Sequence, residues 1–237
     1  MTMDTVRAPL PESIHPALWR ASQLARGRVT TVETGYPVLS RELPGEGWPI
    51  GALTEILAQS PGSGEIRLLA PALGSLTAPI ALVEPPCEPC VQGLAYSGIP
   101  AERLLLLRAR RSNDQLWSAE QILKTSTCGA VLLWQTHVRT DSLRRLLLAA
   151  RSSTSLFFVF RPILAAADAS PAELRVAVRP AEDGVSVDII KRKGPKFESD
   201  VPVRLRPGAT LMSPLTRPRR AVVPFAIGAR ATDGAFA

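Results

Sequence analysis

Five short, mostly apolar runs recur through the middle of the chain: Leu53–Ala58, Pro79–Glu84, Leu104–Leu107, Gly129–Trp134 and Leu156–Phe160. Each is of strand length, and a strand wetted on one face would alternate apolar with polar residues. A continuous apolar run instead fits a strand covered on both faces. The intervening segments read as helices. Glu65 to Leu76 is one, despite Pro71, and Cys90 to Ser97 is a short second one. A third is capped by Asp114 and runs to about Thr125. A fourth is capped by Thr140, with Leu143, Leu146, Leu147 and Ala150 turned inward and Arg144, Arg145 and Arg151 outward. Buried strands alternating with helices predict a doubly wound α/β fold around a mostly parallel sheet.

The rhythm changes after Phe160. Leu174–Arg179 and Val185–Ile190 alternate apolar and polar residues around Glu182-Asp183-Gly184, which predicts an antiparallel hairpin added at the sheet edge. At the other end, Pro16 and Gly27 punctuate a helix over Ala17–Arg26. Residues 28–52 are rich in Pro and Gly, and beyond Pro207 no periodicity survives. The expected organisation is an N-terminal helix and linker over 1–46, one α/β domain over 47–206 and a disordered basic tail over 207–237.

The 237 residues carry 28 Lys/Arg and 21 Asp/Glu, a net charge of +7. Residues 1–190 balance at 18 of each, so the 10 basic and 3 acidic side chains of 191–237 hold the whole excess. A basic tail on a neutral body reads as a contact segment for nucleic acid or an acidic partner, or as a solvated tail with no specific partner. The contact candidates are Lys191, Arg192, Lys193, Lys196, Arg217, Arg219 and Arg220. Three cysteines, Cys87, Cys90 and Cys128, are too few for a disulfide framework and suit a reducing cytoplasm. No apolar run approaches a membrane span and the N-terminus lacks an apolar signal core, so no membrane association is expected.

In a doubly wound fold the first strand-to-helix turn is where a phosphate loop sits. Here it reads Gln59-Ser60-Pro61-Gly62-Ser63-Gly64-Glu65-Ile66. Against the template G-x-x-x-x-G-K-[ST], only Gly64 among the four anchors matches. Gln59 replaces the first glycine, Glu65 the phosphate-binding lysine and Ile66 the magnesium-binding hydroxyl. Reversing one charge beside a phosphate shifts the interaction by about 2 kcal/mol even in water. Backbone N–H groups over Gly62–Gly64 could still cradle an anion; equally, the segment is an ordinary glycine turn. The second strand ends in Glu84, where such folds often place a catalytic carboxylate. The strand over 130–134 is followed by Gln135 where a magnesium-directing aspartate would stand. Together these changes argue against ordinary ATP hydrolysis, and no cofactor is expected. The lone C-x-x-C of Cys87 and Cys90 lacks two further zinc ligands, with only Cys128, His15 and His137 as other soft or imidazole donors. No metal site is expected, and His137 has no nucleophile at matching spacing.

Several segments resemble the ImuA family of translesion-synthesis accessory proteins, degenerate relatives of the RecA recombinase that are sometimes grouped with SulA-type cell-division inhibitors. They are His15-Pro16-Ala17-Leu18-Trp19-Arg20, the stretch from Leu43 to Leu57 containing Trp48-Pro49-Ile50-Gly51-Ala52-Leu53-Thr54-Glu55, Gly98 to Arg108, and Leu156 to Pro162. Gly51 to Gly64 follows the RecA order of strand entry and phosphate loop. Val187 to Phe197 is similar to the RecA hairpin strand that ends near the oligomer's ATP site. The likeness covers residues 15–205.

The resemblance implies a RecA-like core with a degenerate phosphate loop in a cytoplasmic, DNA-damage-inducible protein. It implies no catalysis, because Glu65, Ile66 and Gln135 occupy the positions of RecA's ATP-binding and magnesium-binding residues. It also implies an adaptor role, with a Y-family-like polymerase homologue and an error-prone DnaE-type polymerase as partners, RecA as a further one, and DNA contacted through the basic C-terminal segment. Too little chain lies between Trp134 and Leu156 for a recombinase's long DNA-binding loop. Two alternatives stay open: a SulA-like division inhibitor that binds a tubulin-like protein, and a RecA-like nucleotide-binding ATPase that uses Glu84 as base.

Overall fold

The computed structural model describes residues 30–194 and 200–205. The helix expected over 17–26 and the tail beyond 206 lie outside the described residues. An eight-stranded sheet, in the order β10-β9-β8-β3-β7-β6-β4-β5, forms the body. Its strands are β3 (Leu53–Ala58), β4 (Ile80–Val83), β5 (Leu104–Leu107), β6 (Ala130–Trp134), β7 (Leu156–Pro162), β8 (Leu174–Ala181), β9 (Gly184–Lys191) and β10 (Val201–Arg204). The six strands from β8 to β5 are mutually parallel, and β9 runs antiparallel between β8 and β10. The expected α/β architecture with a C-terminal antiparallel hairpin is therefore present. β3 is central, between β7 and β8.

Burial follows the strand parity that continuous apolar runs require. On β6, Leu132 faces one side while Val131 and Leu133 face the other; on β7, Phe158 opposes Phe157 and Val159. Helix α2 (Glu65–Ser75) covers the first face with Leu68, Leu69 and Leu73. Helices α4 (Ser112–Thr125) and α5 (Thr140–Arg151) cover the second, with Leu123, Leu143, Leu146 and Leu147. The short helix α3 (Val91–Tyr96) precedes β5. β6 and β7 are joined through α5, with no long inserted loop.

A two-stranded ribbon of β1 (Thr31–Glu33) and β2 (Gly47–Pro49), with the one-turn helix α1 (Pro37–Ser40) between them, packs on the first face. Leu39, Leu43 and Trp48 join its core, and the Trp48 ring meets Phe158 edge-on at 5.5 Å. Pro71 in α2 has an account here. Proline lacks the N–H that would bond the carbonyl four residues back. That carbonyl, Arg67 O, instead accepts the Tyr36 hydroxyl at 3.2 Å. Gly35 lies so close that an added Cβ would come within 2.3 Å of the Pro71 side chain.

Three expectations need correction. β5 is not a buried strand: it pairs only with β4, and Leu105 and Leu106 are 46% and 43% exposed. An all-leucine run looks the same at a sheet's edge as at its centre. Asp114 and Thr140 are not caps. The N-cap positions are Arg111 and Arg139, without side-chain cap bonds. Asp114 and Asp141 sit in the first turns, where a carboxylate favours the helix's positive end. Finally, the hairpin is not the sheet edge, because β10 pairs outside it. Val201–Arg204 is too short to reveal a period.

Candidate functional site

The parallel strands β3, β4, β6 and β7 all end on one side of the sheet. There a cleft of about 450 Å³ opens, lined by the loop after β3, the ends of β4, β6 and β7, and the start of α4. This is where open α/β sheets place ligands. Of the residues singled out in the sequence, it gathers Gln59, Glu65, Glu84, Gln135 and His137. Gly62 and Ile66 line an adjoining apolar groove between α2 and α3, of about 430 Å³, and Glu65 and Trp134 line both cavities.

The loop is filled from within. Glu65, the first residue of α2, turns its carboxylate back so that Oε1 accepts the Gly62 N–H at 2.8 Å. One of the backbone donors left open by the sequence reading, the Gly62 N–H, is therefore taken by the chain's own anion. Ser63 Oγ donates to Ser60 O at 2.6 Å, which tightens the same turn. Gly64 holds φ +98 at the helix entry, and a Cβ there would meet Val185 Cγ1 at 2.7 Å. Left-handed backbone and a close neighbour both require glycine. Glu65 is 4% exposed, and its Oε2 has no partner among the described residues. Ile66 packs against the first-face core, so this position serves burial.

Across the cleft, Glu84 adopts φ +56, uncommon for a residue with a side chain. Its Oε2 accepts the Ala109 N–H and Gln115 Nε2, both at 2.9 Å. Gln115 Oε1 in turn accepts from Gln135 Nε2 at 2.7 Å, and Arg108 stands 3.7 Å from Glu84 Oε1. Gln135, where a magnesium-directing aspartate would stand, is a neutral link in this chain of bonds. His137 is exposed at the rim. Among the described residues no group of three or more His, Cys, Asp or Glu is placed to hold a metal. Cys87 and Cys90 are free and exposed, and Cys90 caps α3 by accepting the Gly93 N–H.

The sequence did not point to Gln115, Trp134, Phe160 or Arg161, all of which line the cleft. Trp134 and Phe160 stack at 4.5 Å with an interplanar angle of 9°. Arg161 carried a legible signal, a charge closing an apolar run. Its guanidinium reaches Glu55 at 3.1 Å and Asp168 at 2.8 Å. Glu55, fully buried, also holds Arg175, which donates to the carbonyls of Ala165, Ala166 and Asp168. Glu55 is thus the counterion of two buried arginines.

The basic candidates are not at the cleft. Lys191 pairs across from Arg175, toward the opposite end of the sheet, and its Nζ donates to Ser170 O at 2.9 Å. Arg192 is half-buried, bonded to the Glu42 carbonyl and 3.4 Å from its carboxylate. Lys193 is exposed. Lys196, Arg217, Arg219 and Arg220 lie outside the described residues.

Fold and site define an α/β protein with a mixed, mostly parallel sheet and a cleft at its strand ends, lined by the loop after β3 and by Glu65 at the start of α2. Compared with known proteins, the chain matches no family and no curated protein. No helix among the described residues is long and apolar enough to cross a membrane.

Proposed function

We propose that this chain is a non-catalytic accessory protein of damage-induced translesion DNA synthesis. It acts as an adaptor for a Y-family-like polymerase homologue and an error-prone DnaE-type polymerase. The assignment of process and partners rests on the sequence resemblance. One observation supports reading the chain as inactive toward ATP: Glu65 places a carboxylate on Gly62 N–H, one of the loop donors that a nucleotide's phosphate would use. A triphosphate would have to displace that carboxylate and then lie beside it, against repulsion that grows as water is excluded. The position and order of the central strand, loop and hairpin support a RecA-like ancestry for the body.

The test is capture of the two polymerase-side proteins and RecA by the purified chain, full length and with residues 207–237 removed. Tail-dependent retention of a polymerase-side protein is the expected result. Retention of none of them, together with filamentation of cells that overproduce the chain, would favour the division-inhibitor reading. ATP turnover lost on Glu84→Gln would favour the enzyme.

A further inference from the structure

We propose that residues 207–216 of this chain's own C-terminal segment lie as a strap in the apolar groove between α2 and α3. The groove, of about 430 Å³, is walled in part by Ile66, Leu94, Leu104 and Trp134. All four pack against the first-face core and yet stay only half-buried. Beneath them Leu82 and Leu132 already belong to the core. Covering apolar surface of this kind is favourable, and a contiguous patch of it marks a contact site.

The occupant follows from where the described chain ends. Leu205 is fixed on the same face, with its side chain in the first-face core and 7% exposed. Its N–H donates to Asp183 O at 3.1 Å, and its carbonyl accepts Arg67 Nη2 at 2.7 Å. Arg67 itself lines the groove. The chain therefore leaves the body at a residue hydrogen-bonded to the groove's wall. Pro207-Gly208 comes next, a dipeptide that favours a turn. Leu211 and Met212 stand six and seven residues beyond Leu205, within about 25 Å of extended chain.

Charge sets this stretch apart from the rest of the tail. Residues 207–216 carry none and hold Leu211, Met212 and Leu215, between Arg206 and the basic Arg217-Pro218-Arg219-Arg220. Uncharged chain with aliphatic side chains matches an apolar lining, and methionine adapts to irregular apolar surfaces. The short tether gives the chain's own segment an effective concentration on the order of millimolar, which favours it over a second copy or another protein. The strap pins the root of the tail, so the part free to meet a partner begins at Arg217.

The experiment places the photoreactive residue p-benzoylphenylalanine at position 211 of the full-length chain, or at position 225 for comparison, and maps the cross-links by mass spectrometry. Monomeric products that join position 211 to the groove wall, within residues 61–73 or 87–104, are expected. Leu94→Asp, which sets a carboxylate among apolar side chains, should lower their yield about threefold or more, with thermal unfolding as the check on folding. A second measurement leaves the body untouched. Cys87 and Cys90 line the groove as free thiols, so Leu211→Ser, Met212→Ser, Leu215→Ser should speed their alkylation by iodoacetamide about threefold or more. Cys128, which is buried, should stay unreactive in both proteins. Groove cross-links found only in dimers would hand the site to a second copy, and a higher yield from position 225 would hand it to a later part of the tail. Either result overturns the proposal, as does the absence of groove cross-links or alkylation that the triple-serine form leaves unchanged. The result does not depend on any role in DNA-damage tolerance, so the capture experiment can fail while this one succeeds.

Discussion

Glu55, Glu65 and Glu120 are three nearly buried carboxylates with different roles. Glu55 pairs with Arg161 and Arg175 at once, and Asp168 supplies the second negative charge. Removing one partner of a buried ion cluster strands the others without a counterion. Glu55→Leu is therefore expected to cost about 3–5 kcal/mol, measured by chemical denaturation. Glu120 joins α4 to α5 through hydrogen bonds to Lys124 and Arg145, and these hold its carboxyl below the ordinary 4.5. A depressed folded-state value means stability that is complete above the unfolded value and lost as pH falls through the folded one. The wild type should thus lose stability below about pH 4.5 more steeply than Glu120→Gln. Denaturation midpoints of both proteins between pH 2 and pH 6, a window of about two units either side of the unfolded carboxylate value, check this. Equal slopes would remove Glu120 from the acid response.

At the scale of elements, the ribbon β1–β2 and helix α2 are coupled through a hydroxyl that stands in for a missing amide. Tyr36→Phe should cost about 1 kcal/mol by leaving the Arg67 carbonyl without its donor. That cost should shrink in a Pro71→Ala background, where the restored N–H can close the helical bond. A double-mutant cycle reads the coupling directly, and additive costs would mean that the two groups act separately. Burial raises the Tyr36 hydroxyl above its ordinary value of 10.0 while Arg67 opposes the shift, so the group remains a donor at neutral pH. β5 shows a different element-level balance. Leu105 and Leu106 contribute little to the core, and Leu106→Lys should change stability by about 0.5 kcal/mol or less, measured by chemical denaturation.

For the whole molecule, the sheet brings five residues spread from Gln59 to His137 to one cleft, because parallel strands end on the same side. A protein that binds ATP in its folded state alone is stabilised by mass action. Saturating Mg-ATP should therefore leave the melting temperature of this chain unchanged, and a rise of several degrees would restore the nucleotide-binding alternative. If DNA is held through the basic segment, log K should fall with log salt at about −0.9 per neutralised phosphate on duplex. A slope near zero would remove phosphate contact from the account.

The sequence alone determined the order and type of the central elements, because the apolar runs of β3, β4, β6 and β7 are buried on both faces and such burial leaves a continuous pattern. It also determined that the turn after β3 leads into an acidic residue, since the identity of residue 65 needs no coordinates. Edge and centre were not legible: Leu104–Leu107 pairs on one side only, and nothing in four leucines records that. The strongest block of the resemblance, Trp48 to Glu55, proved to be architecture. Trp48 fills the core, Ile50 bridges Leu156 and Glu55 balances two arginines contributed by strands far along the chain. Only the tertiary structure decided that Glu65 folds back onto Gly62, that Gln115 links Glu84 to Gln135, and that Trp134 and Phe160 meet. The last two depend on distances between segments remote in sequence, set by strand pairing and helix packing; the first depends on the side-chain conformation that Glu65 takes at the start of α2.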